Sequence, residues 1–200
     1  MSPAHVLEPT YQRLKRDLMS GALPMGARLE ALRLADAFGV SMTPVRDSLN
    51  QLTGEGLVDF SPGDGFRVPR LTDQGLRDML DLNQLLLLHA LKANGVVTPD
   101  LCEPSPNTKD YATRVAVIFG RIAALSGNRF LVRSVAQLGE KLHPARRMEP
   151  AVIPSAPETL RLLEDSFYRS RRECTIALSA YHASRIEAVP RLIASIPGSD

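Results

Sequence analysis

The sequence predicts a mainly α-helical chain of two domains, a small one over residues 1–70 and an antiparallel helical bundle over residues 71–200. Three observations predict it. Before residue 57, short segments carry apolar residues at helical spacing. The turn-forming run Ser61-Pro-Gly-Asp-Gly65 then separates two short apolar segments typical of a β-hairpin. Beyond it the apolar pattern is helical throughout, so the bundle is expected to follow the hairpin.

Composition limits the classes of protein to which this chain can belong. Its 200 residues are 44% hydrophobic, and the longest apolar run, Val115 to Phe119, is far below the ~20 residues of a membrane span. The first residues lack the basic-then-apolar pattern of a secretion signal. Cys102 and Cys174 are too few for a disulfide framework. We therefore expect a cytoplasmic protein with reduced thiols and no membrane contact.

The small domain is predicted to contain three helices and a hairpin. Residues 1–9 are expected to be an arm, and the apolar spacing predicts helices over residues 10–20, 28–38 and 42–54. Gly39 forms the turn between the last two helices. Residues 57–60 and 66–68 are the candidate strands of the hairpin. Three helices followed by such a hairpin make a winged helix-turn-helix.

The third helix carries the most specific pattern in the chain. Ser41 and Thr43 are residue types that cap a helix, and Pro44 suits a first helical turn. Apolar residues recur at helical spacing along one side of the helix. The opposite side presents Arg46 and Asn50, which are able to contact phosphates and base edges.

These residues resemble the DNA-binding domain of the GntR family of bacterial transcription regulators. The resemblance rests on Arg28-Leu-x4-Leu-Ala-x2-Phe-Gly-Val-Ser-x-Thr-Pro-Val-Arg-Asp-x-Leu49, and on Leu52-Thr-Gly-Glu-Gly-Leu-Val-Asp59 followed by a glycine-containing wing. It implies a homodimer that binds a near-palindromic double-stranded DNA operator through a helix in the major groove. The residues that it implies at the DNA are Arg28, Ser41, Met42, Thr43, Pro44, Arg46, Asn50, Gly65 and Arg67.

Two positions depart from that family's pattern. Met42 stands where the family often has arginine, and Asp64 stands where a basic residue often precedes the wing glycine. Residues 1–70 also hold eight basic and eight acidic side chains, so DNA affinity has to come from the placement of charge. Arg28, Arg13 and Lys15 are further candidates for phosphate contacts, and for Arg28 and Arg13 the alternative is an intradomain ion pair or a solvated surface.

The second domain is predicted to be entirely helical. Helices are expected from Thr72 to about residue 94, from 110 to 125, from 129 to 142, and from 158 to 189 with a break near Ser170. The proline-containing segments 96–109 and 144–157 are expected to be loops. The apolar excess in residues 82–91 and 115–125 favours a dimer interface.

This domain resembles the FadR-type (FCD) ligand-binding domain, most clearly at Phe119-x6-Ser126-Gly-Asn128. Many such domains hold a divalent metal through an aspartate and three histidines. Here Ala116, Gly120 and Leu160 stand at three of those positions, and only His182 lies near an expected place. The resemblance therefore predicts a bundle without a metal or other cofactor. His182 is more simply interpreted as a histidine in a packed core.

A small-molecule effector without a metal needs another counter-charge. If the effector is a carboxylate, arginine is the residue type that neutralises it. The candidate pocket residues are Asn83, His89, Arg114, Arg121, Arg133 and His182. For these arginines the alternative is surface solvation.

The sequence favours a ligand-responsive transcription regulator, acting as a repressor, whose two heads shift when the bundle binds its effector. The alternative is a degenerate member of the family that acts through protein–protein contacts and binds DNA weakly. An enzyme is disfavoured, because Thr53-Gly-Glu-Gly56 follows a helix rather than a strand and no nucleophile–base pattern accompanies it.

Overall fold

The computed structural model describes residues 4–93 and 110–198. Contacts divide the chain into two compact units, which are called the head and the bundle below. The head comprises the residues up to Leu71 together with the tail from Ile196, and the bundle comprises Thr72–Ser195. The predicted loop at residues 96–109 and Cys102 lie outside the described residues.

The head consists of three helices and a small antiparallel sheet. Its elements in chain order are α1 (Ala4–Met19), β1 (Arg28–Leu29), α2 (Ala31–Phe38), α3 (Met42–Glu55), β2 (Asp59–Ser61) and β3 (Gly65–Arg67). The sheet has the order β1-β3-β2. Leu14, Val45, Leu49 and Leu52 are fully buried between α1, α3 and the sheet, as expected from the apolar spacing of the two helices.

Glycine ends both helices of the helix-turn-helix. Gly39 and Gly56 adopt left-handed backbone conformations, with φ of 68° and 69°. In each case the following residue donates to a carbonyl five residues earlier, Val40 to Ala35 at 3.1 Å and Leu57 to Leu52 at 2.9 Å. This closure satisfies terminal carbonyls that the helix itself leaves unpaired.

Two predictions about the head were wrong in detail. Residues 4–9 belong to α1 rather than to an arm, and Pro9 lies inside that helix. The segment at Arg28–Leu29 is a strand, not the first turn of α2, because it pairs with β3 in a register that local spacing does not reveal. Ser41 occupies the cap position of α3, but its side chain makes no capping hydrogen bond.

The described residues of the bundle, 72–93 and 110–195, form five helices. They are α4 (Asp73–Lys92), α5 (Tyr111–Ala124), α6 (Arg129–Val152), α7 (Ala156–Arg169) and α8 (Arg171–Ser195). Side chains cap three of them, with Thr72 accepting from Gly75 N at 3.0 Å, Asp110 from Thr113 N at 2.8 Å, and Asn128 from the first turn of α6. The core is built from apolar residues of all five helices.

The predicted connection at residues 144–157 is wrong for most of its length. Helix α6 continues through Pro144 and Pro150 to Val152. A proline inside a helix removes one hydrogen bond and costs about 3 kcal/mol. Burial of Leu142, Ala145 and Glu149 on the inner side of α6 favours continuation of the helix against that cost. The predicted break near Ser170 separates α7 from α8, and Pro190 lies within α8.

The C-terminal tail differs from the predicted domain boundary. Ile196 is buried and Met25 N donates to Pro197 O at 3.3 Å, so the tail belongs to the head. Gly198 lies so close to Met25 that a Cβ would approach its carbonyl oxygen to 2.2 Å. Contacts between residues so distant in sequence cannot be inferred from local patterns.

Candidate functional site

The exposed side of α3 brings polar side chains together on one surface. Thr43, Arg46, Asp47 and Asn50 are all exposed and follow each other at helical spacing. The buried side of α3 anchors the helix to the head through its apolar residues. The surface therefore presents a hydroxyl, a guanidinium, a carboxylate and an amide on a fixed helix. Pro44 is half-buried beside this surface and sets the first turn.

The small sheet carries a second basic surface. Arg28 and Arg67 are paired across β1 and β3, and Asp59 faces Arg67 from β2. Directly paired residues of antiparallel strands project from the same face, where like charges destabilise the sheet and opposite charges stabilise it, so Asp59 offsets part of the positive charge of the two arginines. Both arginines are exposed, and Arg67 Nη1 also donates to Gly26 O at 3.4 Å. The arrangement suits a phosphate.

The wing turn is shaped by glycine. Gly63 and Gly65 have φ of 89° and 78°, and Asp64 N donates to Ser61 O at 3.1 Å. A Cβ at Gly65 would meet no atom within 4 Å, so the turn needs glycine there for its backbone conformation alone. Asp64 and Met42 are exposed, so the two departures from the family pattern lie at the surface.

The two further phosphate candidates on α1 have partners inside the head. Lys15 Nζ lies 3.1 Å from Glu55 Oε2, and Tyr11 donates to the same carboxylate at 2.8 Å. Arg13 lies over the Phe38 ring, 4.1 Å from its centroid. Both cations are therefore held by contacts within the head, which disfavours a role for them at a phosphate.

The bundle contains a buried ion pair in a hydrogen-bonded cluster. Arg185 Nε donates to Glu149 Oε2 at 3.0 Å, and both side chains are almost fully buried. Tyr111 and Tyr181 donate to the same carboxylate at 2.6 and 3.1 Å. Burial is the main cause that raises the pKa of both tyrosines, and the Glu149 carboxylate raises it further. Their hydroxyls therefore stay protonated and remain donors.

A histidine and an asparagine form a second buried pair. His182 Nδ1 lies 3.0 Å from Leu178 O, and Nε2 lies 3.1 Å from Asn83 Oδ1. Burial lowers the pKa of His182 to about 4, so the imidazole is neutral and donates through one nitrogen alone. Donation to Leu178 leaves Nε2 as an acceptor, which is matched when Asn83 turns its amide nitrogen toward it. In either orientation one polar atom of the Asn83 amide has no partner within the described residues.

A third buried charge lies beside this pair. The guanidinium carbon of Arg146 is 4.9 Å from the centroid of the Phe119 ring, and that ring also contacts His182, stacked at 5.6 Å, and Tyr181, edge-on at 5.3 Å. Arg146 is 2% exposed, and its Nη2 has no hydrogen-bond partner among the described residues. Three helices thus place a cation, an aromatic ring and a neutral imidazole together.

The other predicted pocket residues are placed differently. Arg114 forms an ion pair with Glu164 at 2.5 Å. Arg121 is buried and donates to Tyr168 Oη at 2.7 Å, while its Nε and Nη2 have no partner in the described parts of the chain. His89 and Arg133 are exposed, so the structure does not bring them to the buried groups.

Sequence reasoning missed Arg146, Glu149 and Arg185. On a helix that continues past Pro144, Leu142, Arg146 and Glu149 share one side, which is the signal that could have identified them. The predicted loop at residues 144–157 concealed this spacing. In residues 4–93 and 110–198 no three His, Cys, Asp or Glu side chains are grouped as a metal site, and the metal-free bundle stays a prediction.

Among the described residues, no helix combines the length and apolar character needed to cross a bilayer.

A winged head with an exposed polar helix, followed by a helical bundle, defines a class of helix-turn-helix regulators. Residues 8–68, which make up most of the head, match the family described as bacterial regulatory proteins, gntR family. The predicted resemblance of the head is thereby confirmed. The resemblance of the bundle to the FCD domain stays a prediction.

Curated relatives match the head and the start of the bundle. The chain is 35% identical over 95 residues to the HTH-type transcriptional regulator McbR of Escherichia coli K12. The aligned residues make up 45% of this chain and 42% of that protein. The chain is 31% identical over 71 residues to the HTH-type transcriptional repressor GlaR of the same organism, 36% of this chain and 32% of that protein. The matches thus span less than half of these relatives.

Solved structures match the fold over nearly the whole chain. E. coli McbR/YncC superposes with a TM-score of 0.67 at 21% identity, covering 96% of this chain and 99% of that one. A GntR transcriptional regulator from Rhodococcus sp. RHA1 gives 0.69 at 15% identity, covering 94% and 98%. The predicted fold class, a winged helix-turn-helix with a helical second domain, is confirmed.

Proposed function

We propose that this protein is a cytoplasmic DNA-binding transcription regulator, acting as a repressor, whose operator affinity is modulated by a small molecule bound in the bundle. The observation that carries the proposal is the exposed polar side of α3 on a GntR-family head. Its relatives are named HTH-type transcriptional regulators, which supports the same class.

The proposal assigns different tasks to the polar groups of the head. Arg46 and Asn50 have the side chains that pair with guanine and adenine in the major groove. Arg28, Arg67 and Thr43 suit phosphate oxygens, which position the protein without reading sequence. The carboxylates of Asp47 and Asp64 repel the DNA backbone, so affinity depends strongly on the few cations.

The test starts from duplexes that the full-length protein enriches from a random pool. Binding of one enriched duplex is measured by fluorescence anisotropy over a range of salt concentrations. Because a bidentate contact to guanine is worth about 1–3 kcal/mol, Arg46→Ala is expected to weaken binding by about 10-fold or more. The matched control is Arg33→Ala, which removes an exposed cation on α2 that pairs with Glu30.

Each outcome of this test decides between the two functions considered. Weakened binding by Arg46→Ala together with unchanged binding by Arg33→Ala supports the regulator. Failure to enrich any duplex, or an Arg46→Ala variant with unchanged affinity and salt dependence, overturns it. The protein would then act through protein–protein contacts.

A homodimer is part of the proposal. Leu82 and Leu85 on α4 are 48% and 65% exposed, which leaves part of the apolar excess of residues 82–91 at the surface. In residues 115–125, by contrast, Val115, Ile118 and Ile122 are buried in the core of the bundle, so that segment offers less surplus than predicted. Light scattering of Leu85→Asp tests the dimer. A shift to the monomer mass supports the proposed interface, and an unchanged dimer places it elsewhere.

A further inference from the structure

Arg146 is a buried cation that its surroundings leave incompletely paired. It lies on the inner side of α6 and is 2% exposed, with Nη2 unpartnered among the described residues. No described carboxylate lies within 4.0 Å of it. A guanidinium out of water without a counter-ion is costly, so buried charges in proteins are normally paired.

Arg185 shows how the same bundle satisfies a buried guanidinium. Its Nε donates to Glu149, its Nη1 to Thr159 and Ser184, and its Nη2 to Tyr111. Every nitrogen of this group is thus hydrogen-bonded, and the negative charge of Glu149 balances it. Among the described residues, Glu149 thus balances Arg185, whereas Arg146 and the less deeply buried Arg121 keep unpartnered guanidinium nitrogens.

Apolar and polar side chains meet around the Phe119 ring that Arg146 contacts. Phe119 offers an apolar wall beneath the guanidinium, and neutral His182 stacks on the same ring. Asn83 reaches His182 from α4 and keeps one amide atom unpartnered while being fully buried. Gly139 approaches from the same helix as Arg146, where a Cβ would lie 3.4 Å from Nη1.

We infer that Arg146 is the anion-binding residue of the bundle and that it holds the carboxylate of a small monocarboxylic acid directly, without a metal ion. The acid's apolar portion lies toward Phe119, and the Asn83 amide contacts a polar substituent. This inference rests on the proposed function, in which a molecule bound in the bundle modulates DNA affinity. It adds the chemical class of that molecule and the residue that recognises it.

The experiment measures the thermal unfolding midpoint of the full-length protein with propionate, lactate or benzoate. Each acid is compared with its uncharged amide and with sodium chloride at equal ionic strength. A ligand at 100 times its Kd is expected to raise the midpoint by about 5 °C. The shift should occur with at least one carboxylate and not with its amide, because the amide carries no charge.

Variants separate a binding role of Arg146 from a structural one. Arg146→Met is expected to lose the carboxylate shift, and its midpoint without added acid should equal or exceed that of the unaltered protein, because an uncompensated charge has been removed. Arg146→Lys keeps the charge but not the forked geometry, so it should retain a weaker shift. Arg147→Met changes the exposed neighbouring cation and should leave the shift intact.

Three results with the added acids would overturn the inference. They are equal effects of carboxylate and amide, no shift with any of the three acids, and a carboxylate shift that survives in Arg146→Met. An Arg146→Met midpoint several degrees below that of the unaltered protein would also overturn it. Anisotropy of the enriched duplex distinguishes this inference from the proposed function: bound acid with unchanged DNA affinity contradicts regulation, whereas DNA binding without any acid shift contradicts the anion site alone.

Discussion

The head and the bundle differ in how many of their polar and charged side chains are buried. Among the described residues, the buried polar side chains of the head are Thr10 and Ser48, and neither ionises. The corresponding set in the bundle is larger and mostly ionisable, namely Asn83, Arg121, Arg146, Glu149, Ser166, His182 and Arg185. The head therefore keeps its charges available to a partner at the surface. In the bundle, several charged groups are buried at a cost in desolvation free energy, and a partner at the surface cannot contact them.

Whether a charged side chain is exposed or buried determines what each unit can respond to. A surface charge interacts through screened forces and contributes little to stability. A buried charge couples folding to whatever satisfies it, whether a neighbouring carboxylate, a proton or a ligand. The head is thus suited to recognition through the placement of its surface charges, whereas the stability of the bundle depends on how its buried charges are paired.

The largest effect is expected at the buried ion pair. Glu149→Gln leaves the Arg185 guanidinium without a counter-charge, so the free energy of unfolding should fall by about 3–5 kcal/mol. Urea unfolding followed by tyrosine fluorescence measures it, because three of the four tyrosines lie in the bundle. Glu158→Gln at an exposed site is the control. A Glu149→Gln loss no larger than that of Glu158→Gln would refute the contrast.

A pH dependence is expected from His182. In the unfolded chain the His182 imidazole is protonated below its ordinary pKa of about 6.5. In the folded bundle burial lowers this pKa to about 4. Stability should therefore fall as the pH drops through this window, by about 2 kcal/mol between pH 7.5 and 5.0 from this group. Urea unfolding of His182→Gln at both pH values should show a smaller decrease than the unaltered protein. Equal decreases would assign the titration to other groups.

A backbone effect of intermediate size is expected in the head. Gly39→Ala places a Cβ on a residue with φ of 68°, and since nothing lies within 4 Å the cost is conformational, about 1 kcal/mol. Gly54→Ala is the matched control within α3, where alanine should stabilise by up to about 1 kcal/mol. Hydrogen exchange of the α3 amides measures both. Identical signs for the two variants would contradict the conformational explanation.

The smallest effect is expected at the ion pair of the head. Glu55 pairs with Lys15 at 3.1 Å, as closely as Glu149 pairs with Arg185, but both side chains of the head pair are partly exposed. Glu55→Gln keeps an acceptor for Tyr11 and should cost less than about 1 kcal/mol. Hydrogen exchange of α1 and α3 provides the measurement. A loss of the size expected for Glu149→Gln would show that burial does not separate the two pairs.

The sequence predicted most of the architecture of the head because the signals there are local. Turn glycines, a cap residue and helical spacing each act within a few residues, and together they located α2, α3 and the hairpin. Arg46 and Asn50 were placed on the exposed side for the same reason. Strand β1 was missed, since a two-residue strand has no pattern of its own and exists through its pairing with β3.

Local signals were misleading in the bundle, where long-range packing overrides them. Pro144 and Pro150 predicted a loop, but the groups that hold α6 together at this end lie on α5 and α8, far away in sequence. The same long-range contacts decide that Glu149 neutralises Arg185, while Arg146 Nη2 has no partner among the described residues. Helical spacing on its own determines which residues can face inward. The charge balance inside the core was decided by tertiary structure alone, because desolvation and pairing depend on which helices meet.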